Sequence, residues 1–172
     1  MPQDRVEKKI VLQASRSRVW SAITDAQEFG DWFGLDFNGT KGTFKPGAKV
    51  HGVRVATKAD PEMAKRFAEN EGQPLDMWID GVEPEHSFVY RWHPHSVHPR
   101  ETGLDVNTEP LTEVVLTLED VPEGTLLTVV ESDFDKIPPK RRAIAFPSHD
   151  AGWPICLDWI AKHIAQHPRW AP

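Results

Sequence analysis

The position of the helix-forming stretches constrains this chain more than any other feature. One lies near each end, and almost everything between them reads as strand. Near the N-terminus Val19, Trp20 and Ile23 form an apolar stripe behind Ser15, whose hydroxyl can accept an orphan amide hydrogen bond. Near the C-terminus Trp153, Cys156, Leu157, Ile160, Ala161 and Ile164 repeat at helical spacing. The segments between are strands joined by short turns, which pair antiparallel. Such a sheet tolerates one wet face, and its other face must be covered. The C-terminal helix is the only element long enough to do so. The expectation is a half-open barrel closed by a long helix, an architecture that encloses an apolar cavity.

Residues 5–13 read as strand one, with Val6, Ile10 and Leu12 on one face. Thr24 or Asp25 restarts a second short helix through Phe29. Gly30 and Gly34 bracket Trp32-Phe33, which puts this aromatic pair at a bend. Residues 35–38 and 41–45 offer a second strand, Pro46-Gly47 a turn, and 48–56 a third strand. Asp60-Pro61-Glu62 combines a cap, a proline preset for the first turn and an acid facing the helix dipole. The helix it starts, over about 59–73, reads as an insertion that covers the cavity mouth. Hairpins follow at 75–83 with 86–93 and at 111–119 with 124–132, around a long polar loop at 94–110. Phe88, Tyr90 and Trp92 share a face, as do Val114, Leu116 and Leu118, and Leu126, Thr128 and Val130. Pro138-Pro139 opens the final helical stretch, Pro147 should break or kink it, and His167-Pro168 ends it. No repeat or linker divides residues 1–172, so the chain reads as one domain.

Composition narrows the function classes. A chain of 172 residues with seven tryptophans has ample material for a core. Its formal charge of -6 argues against nucleic acid, whose phosphates call for Lys and Arg. The run Lys140-Arg141-Arg142 reads as a solvated helix start. The single cysteine, Cys156, excludes an internal disulfide and fits a reducing compartment. No run approaches a membrane span, and Met1 to Lys9 is too polar for a signal peptide. The expectation is a soluble, cytoplasmic protein with no membrane partner.

Three motifs carry a resemblance. They are Val19-Trp20 with Thr24-Asp25 and Trp32-Phe33; Phe88-Val89-Tyr90-Arg91-Trp92, continued as His93-Pro94; and Gly152-Trp153 with Leu157 and Ile160. Together with Gly124-Thr125-Leu126-Leu127-Thr128-Val129 they resemble the START/Bet v 1-like (SRPBCC) superfamily, and within it the activator-of-Hsp-90-ATPase homologue group. Where that group usually has an Asn three residues before the Gly, this chain has His149. The resemblance implies an α+β helix-grip fold: a curved antiparallel sheet of about seven strands wrapped around a long C-terminal helix, with two short helices after strand one. Relatives bind lipids, polyketides, plant hormones or other apolar small molecules, and a few catalyse cyclisation or dehydration. The group's name comes from a eukaryotic co-chaperone in which this domain is the C-terminal part. The implied partners are therefore an apolar small molecule and, second, a chaperone in a stress response.

Trp32, Phe33, Trp78, Tyr90, Trp92 and Trp153, with Leu116, Leu157 and Ile160, are the candidate ligand-lining residues, since ligand sites are concave and mostly apolar. The same side chains are those a core would use. Trp32-Phe33 is the candidate mouth, and Trp92 and Trp153 the candidate interior. Trp159 lies off the main stripe and is left for solvent, a sheet edge or a second subunit; an open edge or Trp159 would support a homodimer. His93, His95 and His98 have metal-like spacing, but the run is broken by prolines and lacks a full ligand set, so no metal and no cofactor is assigned. Asp76 and Asp80 flank Trp78 and read as outward charges. Arg91 should point outward to a neighbouring acid, with Arg54 and Glu131 similar cases. Ser148-His149-Asp150 reads as a helix cap, and Cys156 as a buried small hydrophobe. Three functions are carried in order: an apolar-ligand binder, a chaperone-interaction protein, and a cavity enzyme of polyketide cyclase/dehydratase type using Asp76, Asp80, His51 or Tyr90. A buried, convergent acid–base pair would favour the last.

Overall fold

The computed structural model describes residues 4–94 and 108–170. The chain order is β1 (Arg5–Leu12), α1 (Arg16–Thr24), α2 (Ala26–Phe33), β2 (Leu35–Asp36), β3 (Lys49–Arg54), α3 (Pro61–Ala64) running into a 3-10 turn (Lys65–Asn70), β4 (Pro74–Glu83), β5 (Ser87–Trp92), β6 (Thr112–Val121), β7 (Gly124–Ser132), a 3-10 turn (Phe134–Lys136) and α4 (Pro139–Gln166). The seven strands form one antiparallel sheet in the order β1-β7-β6-β5-β4-β3-β2. This is the helix-grip arrangement that the resemblance implies. β1 and β2 lie at opposite edges, so α1 and α2 carry the chain from one edge to the other.

Local chemistry sets the first helices. Ser15 Oγ accepts the Arg18 amide at 3.2 Å and starts α1. The Asp25 amide donates to Ser21 O at 2.9 Å and closes α1, while its carboxylate accepts the Glu28 amide at 2.9 Å and starts α2. Gly34 ends α2 with a left-handed φ of 91°. A Cβ there would also sit 2.7 Å from the Val55 carbonyl oxygen, so both conformation and space call for glycine.

The inner face of the sheet carries Phe88, Tyr90 and Trp92 from β5, Val114, Leu116 and Leu118 from β6, and Leu127 and Val129 from β7, all buried. Trp153, Leu157, Ile160 and Ile164 of α4 are buried with them in one core. A register shift between Ile79 and Gly81 marks a bulge in β4, a device that bends and twists a strand. A buried polar cluster binds the end of α4 to the N-terminal helices. Glu28, fully buried, receives Ser21 Oγ at 2.6 Å and faces Arg18 Nη1 at 2.5 Å and His163 Nε2 at 2.9 Å. Burial pushes its carboxyl up, but His163, Ser21 and Arg18 together bring it below the ordinary value.

Several expectations are corrected. Trp32 and Phe33 lie inside α2, because the helix runs on to Gly34; Gly30 sits within it, where a Cβ would meet Leu35 O at 2.2 Å. α4 is continuous through Pro147 and Pro154. Each proline forfeits one amide donor, yet buried residues on both sides, Arg141 and Ala145 before and Trp153 and Leu157 after, hold the helix in register. Residues 41–45 make only a single bridge, Thr43 to Asp25, and β3 stops at Arg54. Arg141 is not solvated: it is 1% exposed, donates to Glu109 at 2.9 Å and to Pro94 O at 2.8 Å. Arg142 donates to the carbonyls of Phe134, Asp135 and Ile137. Among the described residues no helix is long and apolar enough to cross a membrane.

Candidate functional site

A cavity of about 180 Å³ opens between the middle of α4, the ends of α2, β3 and β5, and the segment around α3. Three aromatic side chains form one wall. Trp92 stacks on Trp153 with ring centres 5.9 Å apart, and Phe33 lies 5.7 Å from Trp92 and 6.3 Å from Trp153. Phe67 and Trp159 form another, packed edge to face at 5.7 Å. The α3 segment is tied to α4 by Lys162 Nζ on Asp60 at 2.7 Å and by Gln166 donating to Ala59 O at 3.1 Å.

Behind the tryptophan wall sits Glu131, with no exposed surface. Its Oε2 accepts Trp92 Nε1 at 2.8 Å and Thr112 Oγ1 at 2.6 Å; its Oε1 accepts Trp153 Nε1 at 2.9 Å and faces His149 Nδ1 at 2.5 Å. Burial alone would raise this carboxyl. The His149, Thr112 and Trp92 contacts outweigh it, and the net direction is below the ordinary carboxylate value. Glu131 is therefore ionised at neutral pH. An ionised carboxylate only accepts, so His149 Nδ1 carries a proton whether the ring is neutral or charged. His149 itself lines the cavity. A histidine oriented by a buried carboxylate at a cavity wall is a group that can hold or move a proton next to a bound molecule.

Arg54, at the end of β3, also lines the cavity. It alternates with Val50 and Gly52, the buried face of β3, and so is directed inward. Its Nε is buried without a hydrogen-bond partner among the described residues, and burial lowers the guanidinium's pKa. Trp159 Nε1 is likewise buried without an acceptor among the described residues. Cys156 is half-buried and lines the cavity; burial pushes its thiol up to about 12, with Arg54 opposing, so it is not a nucleophile at neutral pH.

Of the residues singled out in the sequence, Phe33, Trp92 and Trp153 line the cavity. Trp32 packs elsewhere in the core and donates to Ala22 O at 2.8 Å. Tyr90, Leu116, Leu157 and Ile160 are core residues that do not reach the wall. Trp78 is on the outer face, since Met77 and Ile79 on either side are buried; Lys49 lies 5.0 Å over its ring. The carboxylates beside it are also outside: Asp76 faces His51 at 2.5 Å, and Asp80 receives Arg91 at 2.6 Å. None of the earlier acid–base candidates therefore lines the cavity. His95 and His98 lie outside the described residues.

Arg54, Glu131, His149 and Trp159 are the residues that sequence reasoning missed. Arg54 and Glu131 face inward and do not pair with a neighbouring strand's surface acid or base, and Ser148-His149-Asp150 lies within α4 and caps nothing. Signals were present. Glu131 shares parity with Thr125, Leu127 and Val129, the buried face of β7, in place of the Leu126, Thr128 and Val130 face. His149 precedes Trp153 by four residues and so continues the apolar stripe.

Sheet, gripped helix and intervening cavity define a helix-grip protein. The chain belongs to the family described as Activator of Hsp90 ATPase homolog 1-like protein, whose model matches residues 13–165. Solved structures share the fold. Protein MLL2253 from Mesorhizobium loti is 19% identical with a TM-score of 0.65, over 95% of this chain and 98% of that one. DynU16, a protein of the dynemicin biosynthetic locus, is 22% identical with a TM-score of 0.62; 98% of this chain matches 49% of it. The Aha1 dimer from Colwellia psychrerythraea is 15% identical with a TM-score of 0.57, over 91% of this chain and 92% of that one. No curated protein matches.

Proposed function

We propose that this protein binds an apolar small molecule in the cavity between α4 and the ends of β3 and β5. The observation that carries the reading is the aromatic wall of Phe33, Trp92 and Trp153 around open space of about 180 Å³. That is comparable to the roughly 150 Å³ apolar cavity that admits benzene, and this one is open at its mouth, so a body of one or two rings fits. Titration with naphthalene-2-carboxamide, followed by calorimetry, tests it. Saturable binding that Gly152→Phe abolishes in a folded protein is the expected result. Absence of saturable binding, or binding indifferent to Gly152→Phe, would sink the reading.

A second reading, catalysis in the cavity, is favoured by the buried Glu131–His149 pair. His149 takes the acid–base role there, oriented by Glu131. Its test is turnover of a bound ligand that His149→Gln removes while leaving affinity in place. Family membership supports a chaperone partner, which a purified Hsp90 ATPase assay decides by presence or absence of stimulation. Native mass spectrometry of the purified protein reports subunit count.

A further inference from the structure

We infer that the ligand is an organic acid, an apolar body carrying a carboxylate or similar acidic group that seats on Arg54. This rests on the reading of the cavity as a ligand site and deepens it.

Two further arginines drawn into the interior, Arg18 and Arg141, have their charge matched. Arg18 faces Glu28, and Arg141 faces Glu109. Arg54 is also directed inward, yet none of its side-chain nitrogens has a hydrogen bond or ion pair among the described residues, and its Nε has lost water without gaining an acceptor. Among the described residues no acid fills that role. Both oxygens of Glu131 are occupied by four donors. Glu71, at the mouth, makes no ion pair with Arg54. Trp159, which lines the same cavity, has in its Nε1 a second buried donor without an acceptor among the described residues.

Two donors without acceptors, one of them cationic, line the same cavity as an aromatic wall. An acceptor-rich, negatively charged group satisfies the first pair of features, and an apolar body satisfies the last. A guanidinium is well suited to the task, because its planar fork matches a carboxylate and the hydrogen bonds are charge-assisted. Burial of the Arg54 Nε strengthens that preference over a neutral group.

A matched pair of probes tests the proposal on the full chain: naphthalene-2-carboxylate and naphthalene-2-carboxamide, which differ in charge and share one apolar body. Calorimetry at pH 7 and physiological salt should give the carboxylate about tenfold or greater advantage. Arg54→Gln should erase that advantage and leave the carboxamide affinity within about twofold, while Arg54→Lys should keep part of it. Equal affinity of the two probes in the wild type, or preference for the carboxamide, overturns the acid assignment and leaves the cavity reading intact. Binding of neither probe overturns both. The wild-type comparison decides even if Arg54→Gln does not fold.

Discussion

His149 Nδ1 on α4 lies 2.5 Å from Glu131 Oε1 on β7, and through that contact the helix is joined to the sheet behind the cavity wall. The same carboxylate also receives Trp92 from β5, Thr112 from β6 and Trp153 from α4. One side chain thus serves three strands and the helix. Glu131→Ala would leave the buried donors Trp92 Nε1, Thr112 Oγ1 and Trp153 Nε1 without this acceptor, and should cost about 3–5 kcal/mol, the range for breaking a buried charged pair. Glu131→Gln keeps one acceptor oxygen and should cost less. Urea unfolding measures both, and a loss under about 1 kcal/mol for the alanine variant would show that the node is not what holds helix to sheet.

Acid should loosen the fold through two buried carboxylates. Glu28 and Glu131 both titrate below the ordinary value of 4.5 when folded. A depressed folded pKa contributes stability that is complete above the unfolded pKa and is lost as pH falls through the folded one. Unfolding free energy should therefore decline below about pH 4.5, and Glu28→Gln should make that decline shallower. An acid slope unchanged in Glu28→Gln would remove Glu28 from the account. Because both groups are buried, added salt should affect this term little.

Gly152 lies in the interior of α4 and lines the cavity, and nothing stands within 4 Å of where its Cβ would be. Glycine in a helix interior is less stable than alanine by about 0.5–1 kcal/mol. Gly152→Ala should raise stability by that amount, read as a higher midpoint in thermal unfolding. Gly152→Phe should retain the fold and exclude the naphthalene probes. Stabilisation without any loss of probe binding in the phenylalanine variant would place the ligand elsewhere.

Cys156 should be slow towards thiol reagents although it lines an open cavity. With its thiol near 12, its thiolate fraction at pH 8 is on the order of 10³-fold below that of a free cysteine. Labelling by iodoacetamide in the native protein should be slower by a similar factor than in urea. Arg54→Gln should slow it further, since Arg54 favours the thiolate. Rapid native labelling would contradict this placement of Cys156.

Much of the architecture is local chemistry and so could be read from the chain. Ser15, Asp25 and Asp60 cap the helices they precede, and the two hairpins and the C-terminal stripe fall where periodicity puts them. The site was harder, for a physical reason. Alternation divides a strand into two faces without saying which is inside. At Glu131 and Arg54 the charge argues for the outside, and in both cases the buried neighbours of the same parity win. What holds Glu131 inside is a convergence of Trp92, Thr112, His149 and Trp153, residues far apart in sequence that only the paired strands and the docked helix bring together. Trp32-Phe33 failed differently: two bracketing glycines suggested a bend, while the cap at Asp25 and the left-handed Gly34 carry the helix past them.

The strand order leaves β1 and β2 at the two margins of the sheet, and this bears on how copies of the chain can meet. β2 offers only two residues to a newcomer. β1 offers eight, but it carries Arg5, Glu7, Lys8 and Lys9, and Lys8 is held by Asp150 of α4 at 3.0 Å. Short and charged margins disfavour the addition of a further strand. Self-association by continuing the sheet from one molecule into the next is thereby discouraged at both ends, and the protein is guarded against the fibrillar growth that open, apolar strands invite.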